Sequence, residues 1–531
     1  MMAKRANAKT VEVNASHVAY MSYPKETAKL IEEAALRRHR RILSVTTAIQ
    51  IYVIDPLQNQ RRLIRRRGAF LKGVSRMTSQ TIEIDEMVSL GRGEIDRRIY
   101  SDPAIFDLEM ERIFARSWLF LCHESQIPEP GDFFQSVMGR DNVLVVRQKD
   151  RTVKAMLNTC AHRGNAVCRA EEGNAKSFLC TYHGWSYGID GQLLGVPGFK
   201  TFYNGELDKS KHGLAQVAQV ATYKGFIFGT HDISAPPLEQ FLGATGRLGL
   251  DMIAARGDMV VVPGIQKFII DCNWKIAVDN LFDWYHPQIT HASAFLPGVL
   301  GTDPGRTTTE KIDMSDVNMD SGGALDMPGI GISGTKFDQV VVLGEYGHAI
   351  GGPTASSLGN PDFDKGWRAT PQARAALGPV GVEVAGHPNI FPTTWVASVT
   401  GQLSLRIPRS PAQTEIWWFT LIDRNLPRET RDFMVSTACR VFGPAGVLEQ
   451  DDGENWSQAT AQTRGVASRR MKHQLTMGLG RGKIIKEGGL ARVEGLTSEH
   501  GQLWTYHSWA QWMKGLGWDD LLKATTPGDY I

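Results

Sequence analysis

The stretch Cys160-Ala161-His162-Arg163-Gly164 and its counterpart Cys180-Thr181-Tyr182-His183-Gly184-Trp185, with seventeen residues between His162 and Cys180, decide how this chain is read. Each half supplies one thiol and one imidazole, with a glycine one or two positions behind the histidine. Runs rich in β-branched and aromatic residues surround them at 133–138, 142–147, 153–158, 177–181, 184–189 and 226–229. Gly139-Arg140-Asp141, Lys149-Asp150-Arg151, Asp190-Gly191 and Pro197-Gly198 fall between these runs as turn signals. Residues 117–230 therefore read as a small antiparallel β domain whose turns carry two Cys-His pairs.

Two thiolates and two imidazoles can hold zinc, but zinc fingers group Cys with Cys and His with His, usually around a helix. One of each per loop is the arrangement of a Rieske 2Fe-2S cluster, with both cysteines on one iron and both neutral histidines on the other. Replacing two thiolates by imidazoles removes negative charge from the cluster and raises its potential. The segment resembles the Rieske domain of ring-hydroxylating oxygenases, with Cys160, His162, Cys180 and His183 as the cluster ligands. A zinc module is the competing reading, and colour separates the two, since a 2Fe-2S centre is red-brown.

A second group of ligands lies about a hundred residues further on. Asn273-Trp274-Lys275 leads to Asp279-Asn280-Leu281-Phe282-Asp283-Trp284-Tyr285-His286, and His291 follows. Residues 274–291 read as helical, which places Asp283 and His286 on one face at i,i+3. A lone histidine there reads as a core or capping residue. Two histidines joined by a later acid meet the demand of a 2-His-1-carboxylate triad, which leaves open positions on Fe(II) for oxygen. Phe442-Gly443-Pro444-Ala445-Gly446 and Glu449-Gln450-Asp451-Asp452-Gly453-Glu454-Asn455-Trp456 are similar to the C-terminal signature of aromatic-ring-hydroxylating dioxygenase α subunits, in which the second aspartate binds iron.

That resemblance runs from about Asp102 to the C-terminus. It implies His286, His291 and Asp452 as iron ligands, with Asp451 a solvated or capping neighbour. It also implies that Asp283 links His286 to His183 of the partner subunit, because a carboxylate between two imidazoles holds their tautomers and offers an electron route. The pocket is expected at Asn280, Leu281, Phe282 and Leu448, which suit an apolar aromatic ring. An aromatic acid would need a cation there, for which Arg406 and Arg409 are the candidates; the alternative for each is a salt-bridged surface residue. The stretch 118–134 and the region of Asp452 resemble phenylpropionate and biphenyl dioxygenases. The four residues between His286 and His291 and the short span 275–283 are more like the benzoate, salicylate and terephthalate types.

Composition bounds the rest. The 531 residues are 42% hydrophobic and 22% charged, which excludes wholesale disorder and allows several domains at roughly 100–200 residues each. The net charge of +3 conceals an asymmetry: residues 1–76 carry 16 Lys and Arg against 5 Asp and Glu, and the remainder 43 against 51. An acidic body has no electrostatic reason to seek nucleic acid. The apolar-leaning stretch 42–54 has thirteen residues, short of the roughly 20 a membrane span needs. Residues 1–76 are expected to be a basic extension upstream of a true start at Met77. Cys122, Cys168, Cys272 and Cys439 lack histidine neighbours and are expected as reduced thiols in a cytoplasmic protein.

The fold class expected is α+β, a small antiparallel β Rieske domain followed by a helix-grip (START-like) α+β catalytic domain. The divisions are 1–76, a helical segment 77–116 with an amphipathic helix over 102–118, the Rieske domain 117–230 and the catalytic domain 231–531. Within the last, 238–255 and 428–440 read as helices and 402–407 and 415–423 as strands, while 296–367 reads as loop, with ten glycines from Gly322 to Gly359. The function implied is the catalytic α subunit of a multicomponent dioxygenase, adding both atoms of O2 to an aromatic ring to give a cis-dihydrodiol. Electrons would come from NAD(P)H through a reductase and ferredoxin, within an α3 or α3β3 assembly. The alternatives are a Rieske monooxygenase or demethylase acting on an aromatic acid or terpenoid-like ring, and a non-catalytic Rieske electron carrier.

Overall fold

The computed structural model describes residues 83–291, 339–358, 366–493 and 498–529. The expectations for 1–76, for Met77 and for the loop residues 296–338 and 359–365 lie outside them. Helix α1 (Pro103–Glu109) begins where proline can begin a helix, after Asp102, whose carboxylate accepts the Ala104 N–H at 2.8 Å. Regular α structure does not run on to Trp118: Met110–Phe114 form a π turn, and the chain then enters β1 (Leu119–His123).

Three antiparallel sheets follow. Strands β2 (Asp132–Met138), β3 (Asp141–Arg147), β4 (Val153–Leu157) and β5 (Glu172–Asn174) form one, in the order β4-β3-β2-β5. Strands β6 (Ser177–Leu179), β7 (Ser186–Gly188) and β8 (Leu193–Gly195) form a second. In the third, β9 (Gln219–Tyr223) pairs with β10 (Phe226–Thr230), which pairs with β1. A small core of Phe133, Leu144, Met156, Phe178, Trp185 and Tyr187 lies beneath the two Cys-His loops.

The larger part of the chain is built on a ten-stranded antiparallel sheet. It contains β11 (Met259–Val261), β12 (Gln266–Ile270), β13 (Gln339–Leu343), β14 (Ala349–Pro353), β15 (His387–Ile390), β16 (Thr394–Ala397), β17 (Gln402–Ser410), β18 (Gln413–Asp423), β19 (Ile484–Glu487) and β20 (Leu490–Val493). Helices α2 (Leu238–Ala254), α3 (Trp274–Asp279), α4 (Arg428–Val441), α5 (Val447–Gln462) and α6 (His500–Met513) are among those that accompany it, with α6 lying against β13 and β14. Sheet and helices share one apolar core with the β1–β10 sheet. The fold is α+β throughout.

Two sequence readings are corrected. The span 296–367 is not all loop, because Gln339–Leu343 and Ala349–Pro353 are buried strands of the large sheet. Val340-Val341-Val342 is a β-branched run, and Gly351 and Gly352 serve close approach, not mobility. A Cβ at Gly351 would stand 3.0 Å from the Phe282 backbone, and one at Gly352 2.6 Å from Trp284 Nε1. Likewise 274–291 is not one helix. After α3 come a 3₁₀ turn at Asn280–Phe282, a non-helical Asp283 (φ −95°, ψ 68°) and one turn at Pro287–Thr290. Pro287 disfavours helix at the residue before it, so the break falls where the candidate ligands sit.

Candidate active site

The first site grows from two matching turns. Cys160 N–H donates to Asn165 O and Gly164 N–H to Cys160 O, both at 2.8 Å; Cys180 N–H donates to Trp185 O at 2.8 Å and Gly184 N–H to Cys180 O at 2.9 Å. Gly164 and Gly184 both have φ +73°, the left-handed conformation that closes each turn. The loops thereby bring the His162 and His183 rings to 4.5 Å between centroids, with His162 stacked on buried Trp185 at 5.0 Å and 7°. Nδ1 of each histidine is buried and without a hydrogen-bond partner, as a ligand atom aimed at a metal would be. Tyr187 Oη lies 3.1 Å from Cys160 Sγ and accepts from Ala161 N–H at 3.1 Å. Burial pushes the Cys180 thiol up, but the backbone N–H groups of Tyr182 and His183 outweigh it and favour the thiolate.

In the second site His286, His291 and Asp452 converge. His286 Nε2 lies 3.3 Å from His291 Nε2 and 3.3 Å from Asp452 Oδ1, and His291 Nε2 lies 3.4 Å from the same oxygen. A triangle with those sides has a circumradius of about 1.9 Å, just inside the ~2.1 Å bonds that first-row ions make to imidazole nitrogen, so an ion fits over one face of it. Asp452 Oδ1 is buried and has no hydrogen-bond partner. The residue types, two imidazoles and one carboxylate, suit Fe(II). Burial disfavours charge on His286, yet Asp283 and Asp452 raise its pKa to about 10. The field that holds a proton there also favours a metal cation.

Helix α5 places the paired aspartates differently. Its buried stripe is Glu449, Asp452, Gly453, Trp456 and Thr460, which follows the helical period and places Asp452 inward. Asp451 sits on the flank at 29% exposure but is not merely solvated, because its Oδ2 lies 3.7 Å from His291 Nδ1 on the far side of that ring. Asp283 flanks the other histidine. Its Oδ1 is 3.4 Å from His286 Nδ1 and its backbone carbonyl contacts the same nitrogen, while 22% of its side chain stays exposed.

The pocket candidates divide. Leu281 and Phe282 are 2% and 1% exposed, and Phe282 is clamped between Gly351 of β14 and Gly501 of α6. Asn280 and Leu448 are half-buried. Arg406 and Arg409 are both engaged elsewhere: Arg406 pairs with Glu449 at 3.2 Å in full burial, and Arg409 donates to Glu415 at 2.7 Å. Sequence reasoning missed His387, whose ring lies 4.8 Å from Trp284 and 5.1 Å from Trp395. Burial first, then the charges of His286 and Arg406, lowers its pKa to about 3 and keeps it neutral. Nothing in Gly386-His387-Pro388 distinguished it from a core histidine. A cleft of about 710 Å³, lined by His123, Arg147, Arg151, Lys224, Asp258 and Arg424 among others, shares no residue with this site.

A Cys-His loop pair and a 2-His-1-carboxylate cluster in one chain define a Rieske-type non-haem iron oxygenase. Residues 117–223 match the Rieske 2Fe-2S domain family, and 250–513 match the catalytic domain of the ring hydroxylating alpha subunit family. The chain is 36% identical over 472 residues to the biphenyl dioxygenase subunit alpha of Paraburkholderia xenovorans (strain LB400), covering 86% of this chain and 98% of that one. It is 34% identical over 468 residues to a benzene 1,2-dioxygenase subunit alpha of Pseudomonas putida, covering 85% and 97%. It superposes on naphthalene 1,2-dioxygenase with indole bound in the active site at a TM-score of 0.69, with 28% identity and coverage of 83% and 96%. The chain belongs to the ring-hydroxylating dioxygenase α subunits, oxidoreductases whose cofactors are a Rieske 2Fe-2S cluster and a mononuclear non-haem iron.

Proposed function

We propose that this chain is the oxygenase α subunit of a multicomponent dioxygenase that adds both atoms of O2 to an uncharged aromatic ring, yielding a cis-dihydrodiol. NAD(P)H supplies the electrons through a reductase and ferredoxin. The observation that carries this reading is the convergence of His286, His291 and Asp452 to 3.3–3.4 Å in a chain that also holds the two Cys-His turns. When bound, the cluster supplies single electrons and the mononuclear iron supplies oxygen activation.

The chain's own residues hold and orient these groups. Cys160, His162, Cys180 and His183 hold the cluster; His286, His291 and Asp452 hold the iron. Asp283 and Asp451 stand 3.4 and 3.7 Å from the second nitrogens of the two iron-site imidazoles, where a carboxylate favours the tautomer that leaves Nε2 free for metal. The exposed part of Asp283 suits a hydrogen bond to His183 of the partner subunit, which calls for an α3 or α3β3 assembly. Trp284 and His387 offer an aromatic wall beside His286, and Asn280 and Leu448 border it. Both candidate cations for a substrate carboxylate are already paired, which favours a hydrocarbon over an aromatic acid. We further propose Rieske and catalytic domains at 117–230 and 231–531, and a cytoplasmic site of action. Among the described residues, no helix is long and apolar enough to cross a membrane.

The test is anaerobic purification, metal and sulfide analysis, and turnover of an aromatic panel under ¹⁸O2 with a surrogate reductase. About three irons and two sulfides per chain, with two labelled atoms in the product, are expected. A single labelled atom would turn the reading toward monooxygenation.

A further inference from the structure

Acidic groups crowd the two iron-site histidines. Glu449, Asp451 and Asp452 lie within one turn of α5, and Asp283 stands beside His286. Arg406 reaches this group from β17, with Nη1 3.2 Å from Glu449 Oε1 and side-chain exposures of 0% and 1%. Its guanidinium lies 4.4 Å from the ring centre of Trp395, 5.1 Å from Trp456 and 5.8 Å from Trp418, so three indoles screen it from water. The pairing is incomplete, since Arg406 Nε and Nη2 and Glu449 Oε2 are buried without a hydrogen-bond partner. A buried pair with unmet donors gains little over apolar packing of the same volume, so stability alone does not account for it. Position does: Glu449 shares the buried stripe of α5 with Asp452, three residues ahead of it.

We propose that Arg406 and Glu449 are positioning residues that balance charge for the mononuclear metal and set how much negative potential the turn of Asp452 presents to it. This rests on the reading of His286, His291 and Asp452 as metal ligands. With both partners present the pair is neutral. Removing Glu449 alone leaves a desolvated cation close to the metal, which repels it. Removing Arg406 alone leaves a second buried carboxyl on the ligand's own helix face. Burial already raises its pKa to about 7 against the pull of Arg406, so its negative charge is felt only at alkaline pH, where the comparison is made, and removing both partners restores neutrality.

The measurement is Co²⁺ binding by the full chain, with its Rieske cluster intact and its mononuclear metal stripped by chelator, followed anaerobically by calorimetry and d–d absorption. Glu449→Gln is expected to weaken Co²⁺ roughly tenfold, and Arg406→Met combined with Glu449→Gln to return it to within about threefold of wild type. Arg406→Lys, which keeps the charge but not the stacked fork, is expected to stay within about threefold as well. A purely structural role demands the opposite, with the double variant at least as weak as Glu449→Gln and Arg406→Lys equally impaired; either result overturns the proposal. The visible spectrum of the cluster reports folding in each case. If Glu449→Gln loses that spectrum, Arg406→Met must bind Co²⁺ more tightly than Arg406→Lys, and equal affinities refute the pair. His286→Ala run in parallel separates the two levels: unchanged Co²⁺ affinity there would sink the ligand assignment, whereas its loss beside a silent Glu449→Gln would sink the pair alone.

Discussion

Replacing Lys275 by methionine removes the one cation that, among the described residues, bonds Glu109, a carboxylate with no exposed surface. Lys275 Nζ donates to Glu109 Oε1 at 2.6 Å, Trp509 Nε1 to the same oxygen at 2.7 Å and Trp274 Nε1 to Oε2 at 2.9 Å. One carboxylate thus ties α1 to α3 and α6. At an effective dielectric of about 20, the attraction across 2.6 Å is about 6 kcal/mol. Part of it is offset because the ammonium no longer has to be desolvated, and that burial already lowers the Lys275 pKa. Breaking a buried pair on one side costs about 3–5 kcal/mol net. Methionine fills most of the lysine volume, so cavity effects add little.

For a domain of this size, that cost corresponds to a fall in melting temperature of roughly 5–10 °C. The assay is thermal scanning with two probes, near-UV dichroism for the catalytic domain and visible absorption for the cluster, because a multidomain chain is not expected to melt in one step. Glu109→Gln with Lys275→Met removes both charges and keeps an acceptor for one of the two indoles, so it should recover part of the loss. Since α3 leads directly into the turn of Asp283 and His286, the single variant should also release mononuclear metal before the cluster bleaches. A Lys275→Met protein melting within 2 °C of wild type, or a double variant no better than the single, would refute the electrostatic account.

Other outcomes follow from the same geometry. Asp452→Asn should abolish binding of the mononuclear metal, while Asp451→Asn, one step removed through His291 Nδ1, should weaken it about 10-fold; equal losses measured by metal analysis would contradict the assignment. Tyr187→Phe deletes the hydroxyl at Cys160 Sγ and should lower the Rieske potential. A bond worth about 1 kcal/mol more to the reduced cluster amounts to roughly 45 mV for one electron, and an unchanged voltammogram would disprove the contact's role. Burial, reinforced by Asp283 and Glu499, pushes the Asp279 carboxyl up to about 8 against the hydrogen bond from Tyr506. The folded state therefore keeps a proton that the unfolded chain releases near pH 4, and stability from this group falls as pH rises from there through about 8. Asp279→Asn removes that loss, so its melting temperature should gain on wild type between pH 5 and pH 8.5; a pH-independent difference would rule the effect out.

Much of the chemistry was legible in the chain because it is local. Each cluster turn closes with bonds between residues four or five apart, Gly164 to Cys160 and Cys180 to Trp185, so the Cys-His spacing already contains the loop. His286 and His291 lie five residues apart on one break in the helix, whereas Asp452 is singled out in the sequence by the resemblance of 449–456 to the family signature, and only the fold shows that the period of α5 turns it inward and leaves Asp451 on the flank. The alternation of strands and turns over 117–230 was equally open to reading, since register within a hairpin depends on neighbours in sequence.

Tertiary structure decided what depends on distant partners. Arg406 could have faced a substrate carboxylate until the packing of β17 against α5 placed Glu449, 43 residues on, against it inside three indoles. His387 lies beside Trp284 because β15 passes there, and Gly351 and Gly352 are strand residues because they pair with Val341 and Val340, their missing side chains making room for Phe282 and Trp284. Burial and charge at such positions are set by side chains that arrive from elsewhere in the sheet. No local pattern encodes which these will be, and so the candidate ligands can be named from the sequence while their electrostatic environment follows from the fold.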